Sequence, residues 1–409
     1  MGMQLLNLTI SNHKSIRDEA TLDLTYSTLR TLNPPEGTRW DDHLHHVAGI
    51  YGPNGSGKTN ILEGLCHVQS AIATLLPLGA NVLPYMPYDA SKPTVYSVEF
   101  IHDGARYEYS LSRNADGIAG ESLRVARKRW NTIYWRDKHG AVKGLKGLPH
   151  VNVNELVITR ASLMGDPQVK PVRDALTTGV KVFRVGAPSM EDAYLHIARH
   201  LLSRRLDTTA LSTLAQVADL GTTSIELCAP QRPALSARHA PADREDAEVA
   251  LAKALPHILE FQYGERTVPH AAFSASSGSI MWLALAIAAV DALTGGQVLV
   301  VDDLTASLHP DLGRVIIDWF TSPTANQSGA QLIFTSHDIA LMDIGRGPIR
   351  NRERIWFTEK NSAGATTLYQ LSEFTGLQSG SNITKKYIEG RFGATPFTLP
   401  SFIHHLIDD

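Results

Sequence analysis

The spacing of apolar and polar residues changes character along this chain, and each change predicts a different kind of element. MQLLNLTI alternates with period two, as do SVEFIHDG and ARYEYSLSR, so the first third reads as strands, the last two joined by a turn at Asp103 and Gly104. His46 to Tyr51 is a short apolar strand, and Asn60 to Ser70 carries Ile61, Leu62, Leu65 and Val68 at helical spacing. From about Pro171 to Glu265 the pattern turns helical, clearest over Ala193 to Leu206, with a break at APQRPALSARHAPAD that reads as a flexible loop. Buried-strand character returns at Gln297 to Val301, Gln331 to Thr335 and Ile355 to Thr358, with helical stretches such as Ile280 to Leu293 between them. Alternation of this kind predicts an α/β fold in which a mostly parallel sheet is covered by helices, preceded by an antiparallel β region. The expected division is a discontinuous body of residues 1–170 and 265–409 with an inserted, mainly helical subdomain at 171–264. No internal repeat is evident, and without sustained heptads no long coiled-coil arm is expected.

Composition narrows this picture. With 409 residues and 43% hydrophobic side chains the chain can bury a large core. No uninterrupted apolar stretch is read as reaching the roughly 20 residues of a membrane span, and MGMQLLNLTISNHK lacks a signal-peptide pattern, so the expected compartment is the cytoplasm and no membrane partner is expected. Two cysteines, Cys66 and Cys228, give neither a disulfide framework nor a zinc knuckle. The net charge of -3, from 38 Lys and Arg against 41 Asp and Glu, does not indicate nucleic acid as a partner, although it leaves room for one. One local cluster, Arg124, Arg127, Lys128 and Arg129 beside Trp130, has the chemistry to contact phosphates; such runs are more often solvated faces. His43, His45 and His46 in DDHLHH have no matching distant ligands, so no metal is expected there.

Four short segments carry chemistry. In GPNGSGKT the residues Gly52, Pro53, Asn54, Gly55, Ser56 and Gly57 leave the backbone free to wrap a polyphosphate at a helix start. Lys58 is expected to reach the β- and γ-phosphates of ATP, Thr59 to place its hydroxyl on Mg²⁺, and Asn60 to join them as a nucleotide-binding residue. QVLVVDDLTASLHP is a buried strand ending in two carboxylates, with Asp302 placed for the Mg²⁺ shell and Asp303 to orient or deprotonate water. ASSGSIMWLALA sets Ser276, Ser277 and Gly278 at the start of an apolar helix, where the hydroxyl and free amides face an anion or simply cap the helix. LIFTSHD leaves His337 at a strand end, where an imidazole can sense a γ-phosphate. The order of these segments matches Walker A, signature, Walker B, D-loop and switch histidine of ABC ATPases. A ring-forming AAA+ ATPase would carry its second motif soon after the first and lack a signature.

With these motifs the chain resembles the stand-alone prokaryotic ABC-type ATPases related to RecF, SMC and OLD proteins, in particular the RloA-like ATPases of the AAA-15/AAA-21 group found beside defence genes. The resemblance covers nearly the whole chain: SNHKSIRD, YGPNGSGKTNILEGL, ASSGS, VDDLTASLHP, FTSHD, and the terminal IWFTEKNSAGATTLYQLSEF with YIEGRFGATPF. It implies ATP sandwiched between two heads, with Ser276, Ser277 and Gly278 of one subunit capping the γ-phosphate held by Lys58 of the other, and hence an ATP-linked homodimer or higher oligomer. It implies catalytic roles for Lys58, Asp303 and His337. The chain departs from the family at Ala275 and Ser279, where the signature usually carries an acid and a threonine, and at Asp303, where the usual residue is glutamate. Aspartate is shorter by one methylene, about 1.5 Å, so slow hydrolysis is expected.

ATP binding alone names no biological role. Roughly 70 residues follow His337, short of a typical domain of about 100 to 150, so no attached nuclease is expected. The first expectation is a sensor or antitoxin component of an antiphage or toxin–antitoxin system that controls a separately encoded effector such as a Toprim-like nuclease. The alternatives are a RecF-like DNA repair or DNA-clamping ATPase, and an inert scaffold that binds ATP structurally.

Overall fold

The computed structural model describes residues 2–74, 86–184, 189–203, 205–227, 244–264, 266–268, 276–306, 308–343, 349–378 and 381–395. The chain packs as two compact units, one of Met3–Gly179 with Ile333–Asp409, the other of Val180–Leu332 with the first two residues.

The first unit is rich in strands. Seven of them form one antiparallel sheet in the order Ala20–Asp23, Gln4–Ser11, Thr94–His102, Ala105–Asn114, Gly117–Ala126, Trp130–Arg136 and Val142–Lys143. The hairpin at His102↔Ala105 turns through Asp103 and Gly104, both at positive φ (47° and 75°), as a two-residue primed turn requires. Period two sorts the side chains, so that Tyr96, Val98 and Phe100 are buried while Val95, Ser97 and Glu99 are only partly so. Glu121 is buried in this sheet and accepts from the Tyr109 and Tyr134 hydroxyls and the amides of Val157 and Ile158, which ties the helix Val157–Leu163 to the strands. Burial pushes its carboxyl up, against the pull of those four donors.

A second group of strands in the same unit holds the nucleotide motif. Val47–Tyr51 pairs in parallel with Ile355–Lys360, through Gly49↔Ile355 and Tyr51↔Phe357, and Ile355–Lys360 pairs antiparallel with Thr366–Gln370. Gln331–Ser336 flanks the other side of Val47–Tyr51, where Phe334 meets Tyr51 edge to face at 6.1 Å. All five residues of Val47–Tyr51 are buried, the mark of a strand covered on both faces. The helix Lys58–Ala73 follows it after the glycine loop.

The second unit is mainly helical. Its centre is Ser277–Gly295, in which every residue from Ile280 to Ala289 is buried, and the Trp282 indole donates to the Leu214 carbonyl at 2.8 Å. A helix apolar all round belongs in a core. At 19 residues it is also long and apolar enough, by length and composition, to cross a membrane, which corrects the expectation that no stretch is; most of it is buried inside the protein. Gly296 ends it in the left-handed conformation, and Val298–Val301 then pairs in parallel with Val180–Arg184.

Helices Met190–Leu202, Thr208–Val217 and Arg244–Ile258 agree with the helical period read over 171–264, and the first of them lies where Ala193 to Leu206 was expected. The same stretch also contains strands the period did not reveal, Val180–Arg184, Ser224–Leu227 and Leu259–Tyr263. The expected loop at 229–243 lies outside the described residues.

Candidate functional site

Strand Val47–Tyr51 delivers the chain into a loop whose glycines Gly52, Gly55 and Gly57 all take positive φ. Gly57, at φ 107°, is the N-cap of Lys58–Ala73 and offers no side-chain acceptor to the first helical amides. Those amides and the positive end of the helix dipole are therefore presented to an anion. A Cβ at Gly57 would stand 2.3 Å from Thr366 Oγ1, so only glycine lets the loop lie this close to Thr366–Gln370. Gly55, exposed like Asn54, has nothing within 4 Å of where a Cβ would be, and this side of the loop is open to a ligand.

The buried Lys58 ammonium donates to the carbonyls of Gly52 at 2.9 Å and Pro53 at 3.1 Å and lies 3.5 Å from Nδ1 of His337. The lysine and the strand-end histidine, 279 residues apart in sequence, thus meet at the loop. This arrangement fits a polyphosphate: curled amides, a lysine held at the loop, and an exposed imidazole beside it. Thr59 and Asn60 occupy the next positions of the helix.

Three residues that the motif reading passed over brace the loop. The Asn60 side-chain amide donates to Ser15 Oγ at 2.6 Å, Ser15 Oγ meets Thr366 Oγ1 at 2.7 Å, and Thr366 Oγ1 donates to the Ser56 carbonyl at 2.7 Å. Because Thr366 spends its only proton on Ser56, Ser15 must donate to Thr366, and every hydroxyl in the chain has a fixed direction. Ser56 Oγ in turn meets Thr358 Oγ1 at 2.6 Å. Ser15 and Thr366 lie in two of the segments that carry the resemblance, SNHKSIRD and the terminal IWFTEKNSAGATTLYQLSEF; no local pattern announced that they would touch.

Ser276 to Gly278, Asp302 and Asp303 belong to the helical unit. Ser276 is the N-cap of Ser277–Gly295, its Oγ accepting from the Ser279 amide at 3.0 Å and lying 2.9 Å from Ser279 Oγ. Its side-chain oxygen therefore caps the helix, while Ser277 is exposed and Gly278 partly exposed in the first turn. Asp302 is buried at the end of Val298–Val301. Asp303 takes φ 54°, a left-handed conformation that aspartate tolerates better than most side chains. Its carbonyl accepts from Ala306, and the chain turns again at Thr305 before His309 caps the helix Pro310–Thr321. Two tight turns after a strand hold the two carboxylates at its tip.

Of the remaining candidates, the three histidines and Arg124 have local partners. His45 is buried against Glu353 at 2.9 Å, and burial holds its imidazole below the usual range. His43 bonds Thr38 at 2.9 Å, and His46 lies 3.9 Å from Asp41. Arg124 pairs with Glu108 at 3.0 Å and stacks on Trp130, its guanidinium carbon 4.6 Å from the ring centroid.

The family described as "AAA domain, putative AbiEii toxin, Type IV TA system" matches residues 47–343. No curated protein matches the chain. Among solved structures it resembles an SMC head domain from Thermotoga maritima, at 12% identity and TM-score 0.40 over 90% of this chain and 98% of that one. It also resembles the recombination mediator protein RecF with ATPγS in the RecFOR pathway, at 11% identity and TM-score 0.39 over 90% of this chain and 98% of that one. The family match begins in the strand before the glycine loop, ends past His337 and takes in more than half of the chain, which therefore belongs to this AAA-domain family of P-loop ATPases.

Proposed function

We propose that the chain is a regulatory ATPase that closes on Mg-ATP as a homodimer and, as the sensor or antitoxin component of a toxin–antitoxin or antiphage system, restrains a separately encoded effector such as a Toprim-like nuclease. The observation that carries the nucleotide part is the contact of Lys58 with both the loop carbonyls and His337. Lys58 holds the β- and γ-phosphates, His337 reads the γ-phosphate, and the loop from Gly52 to Gly57 cradles the chain of phosphates. Magnesium, with Thr59 and Asp302 as its proposed protein ligands, supplies neutralisation of phosphate charge when bound. Asp303 acts as base or water-positioning group, and Ser277 and Gly278 of a second copy offer helix-start amides across the dimer. Residues 171–264 are proposed as the inserted subdomain, and the cytoplasm as the compartment.

The toxin–antitoxin setting is supported by the family's description, which names a putative toxin of a type IV system; the antitoxin side is this proposal's own assignment. Expression of this chain alone and with the product of an adjacent reading frame tests it. The proposal expects the neighbour to arrest growth and this chain, but not Lys58→Ala, to relieve the arrest. Arrest by this chain alone would make it the toxin and overturn the proposed role. The closure is tested by sedimentation of Asp303→Asn, which is expected to dimerise with Mg-ATP and not with Mg-ADP.

A further inference from the structure

The chain as a whole is slightly acidic, yet residues 124–150 hold eight Lys or Arg and one acid, Asp137. Two of the eight are used internally: Arg124 pairs with Glu108, and Arg136 donates to the carbonyls of Glu155 and Asn152. The other six, Arg127, Lys128, Arg129, Lys138, Lys143 and Lys146, are exposed, and none has an ion-pair partner among the described residues. The Asp137 carboxylate is occupied by the amides of His139 and Ala141. Like charges gathered on one edge repel one another, and a polyanion relieves that repulsion.

These cations lie along the last strands of the seven-stranded sheet, at both tips of Trp130–Arg136. Arg127 to Arg129 form the turn between Gly117–Ala126 and Trp130–Arg136, and Lys143 lies on the last strand. The cross-strand registers place Thr21, Thr9, Ser97, Ser110, Ser122, Trp135 and Lys143 in one continuous row, one residue from each strand. Directly paired residues share a face, so five hydroxyls lead to an indole that is 39% exposed, with the Lys143 ammonium 5.1 Å from its ring centroid. Three carboxylates flank this row and all are engaged, Glu99 by Arg106 at 2.5 Å, Glu108 by Arg124 at 3.0 Å, and Asp23 by the Thr25 amide and hydroxyl at 2.8 Å.

We infer that this face and its basic edge bind a single-stranded nucleic acid. The six cations take phosphates, Trp135 stacks on a base, and the hydroxyl row hydrogen-bonds sugar and phosphate oxygens. A duplex keeps its bases in its own stack and leaves the indole unused; an acidic peptide answers the cations but has no planar base for Trp135. The inference stands apart from the nucleotide site and does not rest on its reading.

Fluorescence anisotropy of the full chain with labelled single-stranded DNA, single-stranded RNA and duplex DNA of about 20 nucleotides, several times the smallest single-strand site sizes, tests it. Both single strands are expected to bind more tightly than the duplex, and the comparison of DNA with RNA tells which sugar is preferred. Affinity should fall about 300-fold between roughly 50 and 200 mM salt, as about six phosphate contacts give. Trp135→Ala should weaken binding by about 5- to 150-fold. The triple change Arg127→Gln, Lys128→Gln, Arg129→Gln should lower the salt slope by about 2, with Mg-ATP affinity and melting temperature as in the parent. Because the triple change lies in an exposed turn, it keeps the test valid if Trp135→Ala fails to fold. Tighter binding of duplex, single-strand binding unmoved by either change, or binding of polyglutamate with no binding of either oligonucleotide would each overturn the inference.

Discussion

Thr366→Val keeps the shape of a side chain only 6% exposed and removes one hydroxyl. In the parent that hydroxyl donates to the Ser56 carbonyl and accepts from Ser15, each at 2.7 Å. Valine leaves a buried carbonyl and a half-buried hydroxyl without these partners, a loss of about 1 to 3 kcal/mol. The bond braces the phosphate loop and not the core, so the loss should fall largely on nucleotide affinity. At about 1.4 kcal/mol per tenfold, Mg-ATP should bind about 5- to 150-fold more weakly. The melting temperature of the nucleotide-free protein should fall by no more than a few degrees, roughly what such a loss gives in a chain larger than 250 residues. Thr366→Ser retains donor and acceptor and should bind within about threefold of the parent, a span of under 1 kcal/mol. Calorimetric titration of the three proteins measures this, and equal affinities for Thr366→Val and the parent would refute the brace.

Two further outcomes are expected. Asp303→Asn should retain Mg-ATP binding and lose hydrolysis by about 100-fold or more in a phosphate-release assay, as the loss of a general base gives; an unchanged rate removes Asp303 from that role. Stability should fall on mild acidification, because burial holds His67 down to about 4 and His196 down to about 3 from the ordinary 6.5. Both imidazoles stay neutral in the folded protein, so below pH 6.5 the unfolded chain binds more protons and folding loses up to about 1.4 kcal/mol per histidine per pH unit. The loss runs from 6.5 down through those depressed values, and urea melts of equal midpoint at pH 7.5 and 5.5 would contradict it.

Much of the nucleotide unit was legible in the sequence because its signals are local. The strand before the loop, the glycines and the helix after them are contiguous, and the Asp103–Gly104 turn carries its own backbone requirement. The helix read at Ile280 to Leu293 is observed as Ser277–Gly295, longer at both ends because Ser276 caps it and Gly296 stops it. The strand Val180–Arg184 escaped detection. It is five residues long, follows a helix directly, and owes its state to parallel pairing with Val298–Val301 more than a hundred residues away. The brace of Ser15, Thr358 and Thr366 was hidden for the same reason: Ser56 and Thr366 are separated by 310 positions, and only the fold makes them neighbours. The basic edge was partly visible as Arg124 to Arg129. Its extension to Lys138, Lys143 and Lys146, and the withdrawal of Arg124 and Arg136 into internal pairs, needed the strand registers.

The most direct test of the central claim is isothermal calorimetry of Mg-ATP with the parent protein and with Lys58→Ala. Saturable binding by the parent and none by Lys58→Ala, with both proteins folded by circular dichroism, is the predicted result. Absence of binding by the folded parent, or equal binding by the two, would contradict it.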